Sequence, residues 1–245
     1  MADSRSGPLA AWAAAFFAGR VSLDQAVDAV RGTDAPHQVG GLAHLDALRD
    51  VLVAWRRAGG AVRLVLPVAG DVRGLPGPAG FRGAALECGE AVVGTGLGVV
   101  PEVVEYAPSS APPSVLWRAF AIDPAPPDFV SVADAEYELT AAIRETATAL
   151  SAAGVAGASA DVAEALHGAR RAGSQPNLPP GFPPRAVALV SQAERLQAVL
   201  DLALADPVGG AVDRAGIAAR TAALRPLATA VRRARLAAYN AEARD

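Results

Sequence analysis

The sequence predicts an α+β protein: N-terminal helices, a small antiparallel sheet of about four strands, and a helical C-terminal half that ends in an antiparallel helical hairpin. Three observations carry this. Apolar residues recur at helical spacing up to Gly60 and again beyond Phe129. Between those stretches stand short β-branched runs punctuated by glycine and proline. The connection "GTGLG" (Gly94 to Gly98) reads as a hairpin turn, and links this short favour antiparallel pairing because a parallel crossover needs a dozen residues or more.

The elements follow in order. Ser6 is placed to cap a first helix over Pro8–Ala18, with Leu9, Trp12 and Phe16 on one face. The flanks of this stretch do not make it a secretory leader: Arg5 is offset by Asp3, and Phe16-Phe17 spoil a small-residue cleavage pattern. Ser22 caps a second helix carrying Leu23, Ala26, Val27 and Val30, and Gly32 stops it. A third is expected from Gly41, with a stripe of Leu42, Leu45, Leu48, Leu52 and Trp55, until Gly59-Gly60 ends it. Strands are expected over Val62–Val68, Glu90–Val93, Val99–Glu105 and Val115–Ile122; in the last, Val115, Trp117 and Ala119 alternate with Leu116, Arg118 and Phe120.

Ser131, with Asp134 in the first turn, opens a long helix expected to stop at Gly154, and a further helix is expected after Ser159. A Pro-rich connector, "SQPNLPPGFPPRA", precedes the hairpin. There Leu189, Ala193, Leu196, Leu200 and Leu204 form one stripe, and Ile217, Thr221, Leu224, Ala228 and Val231 form its partner. Pro226 should kink the second arm. The expected division is 1–128, helices plus sheet, and 129–245, helical, or else one continuous α+β domain.

Composition removes several chemistries. The 245 residues are 52% hydrophobic and 19% charged with a net charge of −3, which gives no global nucleic-acid or membrane signature. All 22 basic residues are arginine. A chain without lysine has no Schiff-base lysine and no P-loop lysine, so pyridoxal-phosphate and Walker-type chemistry are excluded. A single cysteine, Cys88, rules out an intramolecular disulfide and a multi-cysteine metal site. No apolar run reaches membrane-spanning length.

The remaining motifs are incomplete. Gly70, Gly74, Gly77 and Gly80 lie in a strand–loop–helix setting, but their spacing is not G-x-G-x-x-G, and Pro76 and Pro78 remove N–H donors a phosphate would use. The loop reads as a turn; as an anion pocket it would use Arg73 and Arg82. Glu164-x-x-His167 is half of a di-iron motif without its second half. His37, His44, Asp46 and Asp50 could gather around zinc, but together they also fit a solvated helix face. Glu87 and Glu90 flank Cys88 and disfavour its thiolate. Carboxylates near strand ends, Asp71, Glu87, Glu102 and Glu105, could pair for acid–base work, but nothing in the sequence places them together. From Asp213 on, seven arginines stand against three acidic residues, and Arg214, Arg225 and Arg232 fall within roughly 20° on one helix face.

These residues point to a non-catalytic cytoplasmic interaction or scaffold protein, without metal or cofactor. Its partner would be another protein or a second copy, met through Arg214, Arg225, Arg232 and Arg233. Two alternatives have named residues: a small-molecule enzyme or binder using the sheet and the 70–82 loop (Arg73, Arg82), and a weak nucleic-acid contact through the Arg-rich last helix.

Overall fold

The computed structural model describes residues 4–104, 112–126, 128–152, 176–205 and 214–241. The chain divides into two compact units, one holding Ala2–Phe129 with Asn177–Phe182, the other Val130–Pro176 with Pro183–Ala241. The expected helix after Ser159, with Glu164 and His167, lies outside the described residues.

The first unit is an α+β sandwich. Its helices are α1 (Ser6–Phe17), α2 (Leu23–Arg31), α3 (Leu48–Arg57) and α4 (Ala79–Cys88), and its strands are β1 (Gln38–Gly40), β2 (Val62–Val65), β3 (Ala91–Gly94), β4 (Leu97–Val104) and β5 (Ser114–Ala121). The strands form one sheet in the order β1-β5-β4-β3-β2. Four of the five pair antiparallel as expected, with β3 and β4 joined by the predicted tight turn. The fifth, β1, is an addition: it pairs parallel to β5, Val39 opposite Trp117, so the sheet is mixed. Three residues are too few to show a period, so nothing local announces this strand.

Alternation along the strands assigns the two faces. Val65, Ala91, Val93, Val100 and Ile122 pack with Phe81, Ala84 and Ala85 of α4. Leu64, Val92 and Val99 point the other way, beneath α1 and α3, and are fully or almost fully buried. Two glycines admit aromatic rings to these faces. A Cβ on Gly98 would stand 2.7 Å from Phe81, and one on Gly94 would stand 2.3 Å from Trp55 Nε1. Trp55 is fully buried and its indole N–H donates to the Leu97 carbonyl at 2.8 Å, which satisfies the one polar atom it brings inside.

Two helix starts differ from expectation. Ser6 lies inside α1 rather than before it, fully buried with its hydroxyl unpartnered; Ser4 Oγ accepts from Gly7 N–H instead. The third helix starts at Leu48, not Gly41, because His44 has φ 71 and leaves helical space. Asp50 fixes that start by accepting from the backbone N–H groups of Ala47 at 3.0 Å and Asp46 at 3.2 Å. Ser22 caps α2 with a full capping box to Gln25, as its sequence position implies.

The second unit is helical: α5 (Val132–Ala152), α6 (Pro184–Ala205) and α7 (Arg214–Tyr239). Ser131 Oγ accepts from Asp134 N–H at 3.0 Å, closing the predicted cap. Tyr239 at the end of α7 bonds Glu194 midway along α6, and with only eight residues between the two helices they run antiparallel and make the expected hairpin. Arg233 and Glu138 at 3.2 Å, with Thr146 Oγ1 on the Ala223 carbonyl at 3.4 Å, set α5 antiparallel to α7 as well. Leu189, Ala193, Leu200, Leu224 and Val231 of the predicted stripes are buried. Leu204 is 51% exposed, so the α6 stripe runs out before the helix does. Among the described residues no helix is long and apolar enough to cross a membrane.

Candidate functional site

Two places in the first unit bring polar chemistry to an apolar setting. The first is a chain of side chains through His37, on the segment that leads into β1. Trp117 Nε1, which can only donate, lies 3.2 Å from His37 Nδ1. Nδ1 is therefore an acceptor, and the ring proton sits on Nε2, 3.3 Å from Asp34 Oδ2. Asp34 in turn takes a two-pronged bond from Arg5, Nε to Oδ2 at 2.6 Å and Nη2 to Oδ1 at 2.9 Å. The backbone N–H of Arg5 donates to Glu90 Oε1 at 3.1 Å, and Ser4 Oγ bonds the other Glu90 oxygen.

The His37 side chain is thus enclosed, 2% exposed, not on a solvated face. Burial pulls its pKa below the usual 6.5, with the Asp34 bond and charge opposing. Both ring nitrogens are engaged, so the imidazole has no lone pair for a substrate. It works as a pin between β5 and the 34–37 turn.

The second place is a cleft of about 480 Å³ at the free end of the sheet. Val62 and Arg63 of β2, Thr95 in the β3–β4 turn, and Ile122 and Pro124 beyond β5 line it. Arg63 lies opposite Val93 on the α4 face. Its Nη2 donates to the Gly74 carbonyl at 3.3 Å and to the Pro126 carbonyl, bridging the 66–78 loop to the segment after β5. Its Nε is buried and finds no partner. Desolvation lowers its pKa while the charge of Asp128 raises it.

The residues singled out from sequence fall around these places unequally. Arg73 is held by Asp71 in the same exposed turn, at 2.9 and 2.7 Å. Arg82 Nε contacts the Pro76 carbonyl at 3.3 Å. Neither lines the cleft. Cys88 belongs to an exposed residue, yet its Sγ turns onto the Pro101 carbonyl at 3.1 Å. Burial of the sulfur and the charge of Glu90 push that thiol up to about 11. Asp50 is spent on its helix cap, apart from His37, and among the described residues no three His, Cys, Asp or Glu side chains are grouped to hold a metal ion. On α7, Arg225 is exposed, Arg232 is half-buried, and Arg233 faces Glu138. The Arg214 side chain lies outside what is described.

Sequence reasoning passed over Arg5, Asp34 and Arg63. Asp34-x-x-His37 was a faint local signal, but the partners that give it meaning, Arg5 and Trp117, are 29 and 80 residues away. Arg63 falls in the strand expected over Val62–Val68 with no local signal of its own, and its partner, the Pro126 carbonyl, lies 63 residues on.

The class this geometry defines is a two-part α+β protein, an α/β sandwich followed in sequence by antiparallel helices. The chain belongs to the Rv1486c-like family: residues 6–131 match the model of the family's N-terminal domain and residues 133–236 that of its C-terminal domain. It is 32% identical to "Uncharacterized protein Rv1486c" of Mycobacterium tuberculosis (strain ATCC 25618 / H37Rv), and 28% identical to "Uncharacterized protein ML1804" of Mycobacterium leprae (strain TN). Each alignment covers 95% of both chains. Identity to "Uncharacterized protein MAV321" of Mycobacterium avium is 29%, over 76% of this chain and 74% of the relative. No solved structure matches.

Proposed function

We propose that the protein is a non-catalytic, cytoplasmic interaction protein whose domains, 1–128 and 129–245, form a scaffold for another chain or a second copy. One observation carries the reading: the side chains best suited to chemistry are committed to structure. His37 uses both nitrogens, Asp34 is clamped by Arg5, Glu90 holds Ser4 and Arg5, and the Cys88 thiol is protonated at neutral pH.

Charge gives the partner its character. Residues 213–245 carry seven arginines against three acidic residues, leaving 15 arginines against 22 acidic residues in the rest of the chain. A basic helix on an acidic protein favours head-to-tail pairing of copies, or an acidic partner of similar charge. Arg225 and Arg232, with Arg214 and Arg233 beside them in sequence, are the contact residues of this reading.

Sedimentation velocity over a hundredfold range of concentration tests it. The expected result is a mass that rises with concentration, falls with added salt, and stays monomeric in a variant with Arg225, Arg232 and Arg233 changed to glutamine. Salt-dependent binding of duplex DNA by the wild type, lost in the same variant, would instead select the nucleic-acid reading.

A further inference from the structure

We propose that the cleft beside Arg63 binds a small monoanion with an apolar body, such as a medium-chain or aromatic carboxylate. The volume, about 480 Å³, lies within the range of roughly 300–1,000 Å³ usual for small-molecule sites. Val93, Ile122 and Pro124 are among its apolar lining residues, and its polar residues are few: Thr95 and Arg63. That division, apolar walls with one or two directed polar groups, suits a ligand that is mostly hydrocarbon with a single charged end.

Arg63 supplies the sign and the count. Its two carbonyl partners both accept from Nη2 and neither is charged, so they hold the guanidinium in place without neutralising it. Among the described residues no carboxylate lies within ion-pair distance of it, and none accepts from Nη1. A partly desolvated cation with no carboxylate bonded to it favours an incoming anion, and with both Nη2 hydrogens on carbonyls the Nη1 donors are the ones left for a carboxylate oxygen. A single cation, which the charge of Asp128 already reaches, disfavours nucleotides and other polyanions. The carbonyl bonds also hold the side chain still before the ligand arrives, so little side-chain freedom is lost on binding. The inference is independent of the interaction reading above, since every residue lining the cleft belongs to the first unit.

Calorimetric titration of the whole protein with octanoate, octanol and octylammonium separates charge from hydrocarbon. Octanoate should bind, with octanol weaker by roughly tenfold or more and octylammonium not detected. Arg63→Met should weaken octanoate by a similar factor. Because Arg63 also braces the 66–78 loop, a second variant keeps that brace: Ala61→Trp, at the exposed rim, fills the cleft and should abolish octanoate binding while leaving the fold intact. Equal affinity for octanoate and octanol overturns the assignment of Arg63. Unchanged octanoate binding in Ala61→Trp overturns the location, and no binding of octanoate by the wild type overturns the site.

Discussion

The two units reach a buried core by different means. In the sandwich, single large residues fill single seats: Trp55 against Gly94, Phe81 against Gly98, Trp117 bonded to His37. In the helical unit the core repeats small side chains along the axis, with Ala186 and Ala193 on α6 and Ala230, Ala234 and Ala238 on α7 all buried. Small residues let helices approach closely and recur at a period, whereas a ring over a glycine is a fit made once. The first kind of core is specified by unique shapes, the second by repetition, and the two should respond differently to substitution.

The largest expected effect is in the sandwich. Trp55→Ala removes a fully buried ring and strands the Leu97 carbonyl, and should cost about 3–5 kcal/mol by denaturant unfolding. A loss below about 1 kcal/mol would mean the seat collapses freely and would erase the contrast between the units. In the helical unit, Leu200 is 1% exposed and Leu200→Ala should cost about 2–5 kcal/mol. Leu204→Ala, one turn on, should stay within about 0.5 kcal/mol because the stripe has left the core there. Equal effects at the two leucines would show that the packed seam extends to the end of α6.

A third test concerns the buried polar chain. The depressed pKa of His37 means that the unfolded chain takes up its proton more readily. Stability from this group is therefore complete above the unfolded value of 6.5 and is lost as pH falls below it. His37→Gln retains an acceptor for Trp117 and a donor for Asp34 but cannot titrate. Urea midpoints measured across that pH window should fall less steeply in the variant, and parallel curves would show that His37 does not carry the acid sensitivity. The smallest effect is expected at Arg73: it pairs with Asp71 in an exposed turn, and Arg73→Ala should change stability by less than about 0.5 kcal/mol. A larger loss, or a rise in melting temperature with phosphate seen only in the wild type, would return the 70–82 loop to attention as an anion site.

What could be read from the sequence follows the same contrast. The Ser22 and Ser131 caps, the β3–β4 turn and the hairpin of α6 and α7 are recorded within a few neighbouring residues, and local patterns revealed them. β1 escaped because its partner β5 lies beyond two helices and three strands, and its own three residues carry no period. The start of α3 escaped because leucines at Leu42 and Leu45 continue the stripe, while the positive φ at His44 ends the helix there. Nothing near Arg63 in sequence distinguishes it from a solvated arginine. The candidate sites depend on pairs 29 to 80 residues apart, and one sequence alone does not reveal such pairs.

The short 177–182 strap has a consequence for biosynthesis. Asn177 accepts from the Trp12 indole at 2.9 Å and donates to the Ala29 carbonyl at 2.6 Å, so the earliest helices of the sandwich wait 165 and 148 residues for this partner. A ribosome extrudes Trp12 long before Asn177, so the sandwich emerges whole yet with those two groups still open to water while α5 is being translated. A fragment released at Phe129 would stay in that state permanently. Supplying residues 177–182 as a separate peptide should then slow amide exchange in α1 and α2, making this strap a late stitch that closes helices synthesised long before it.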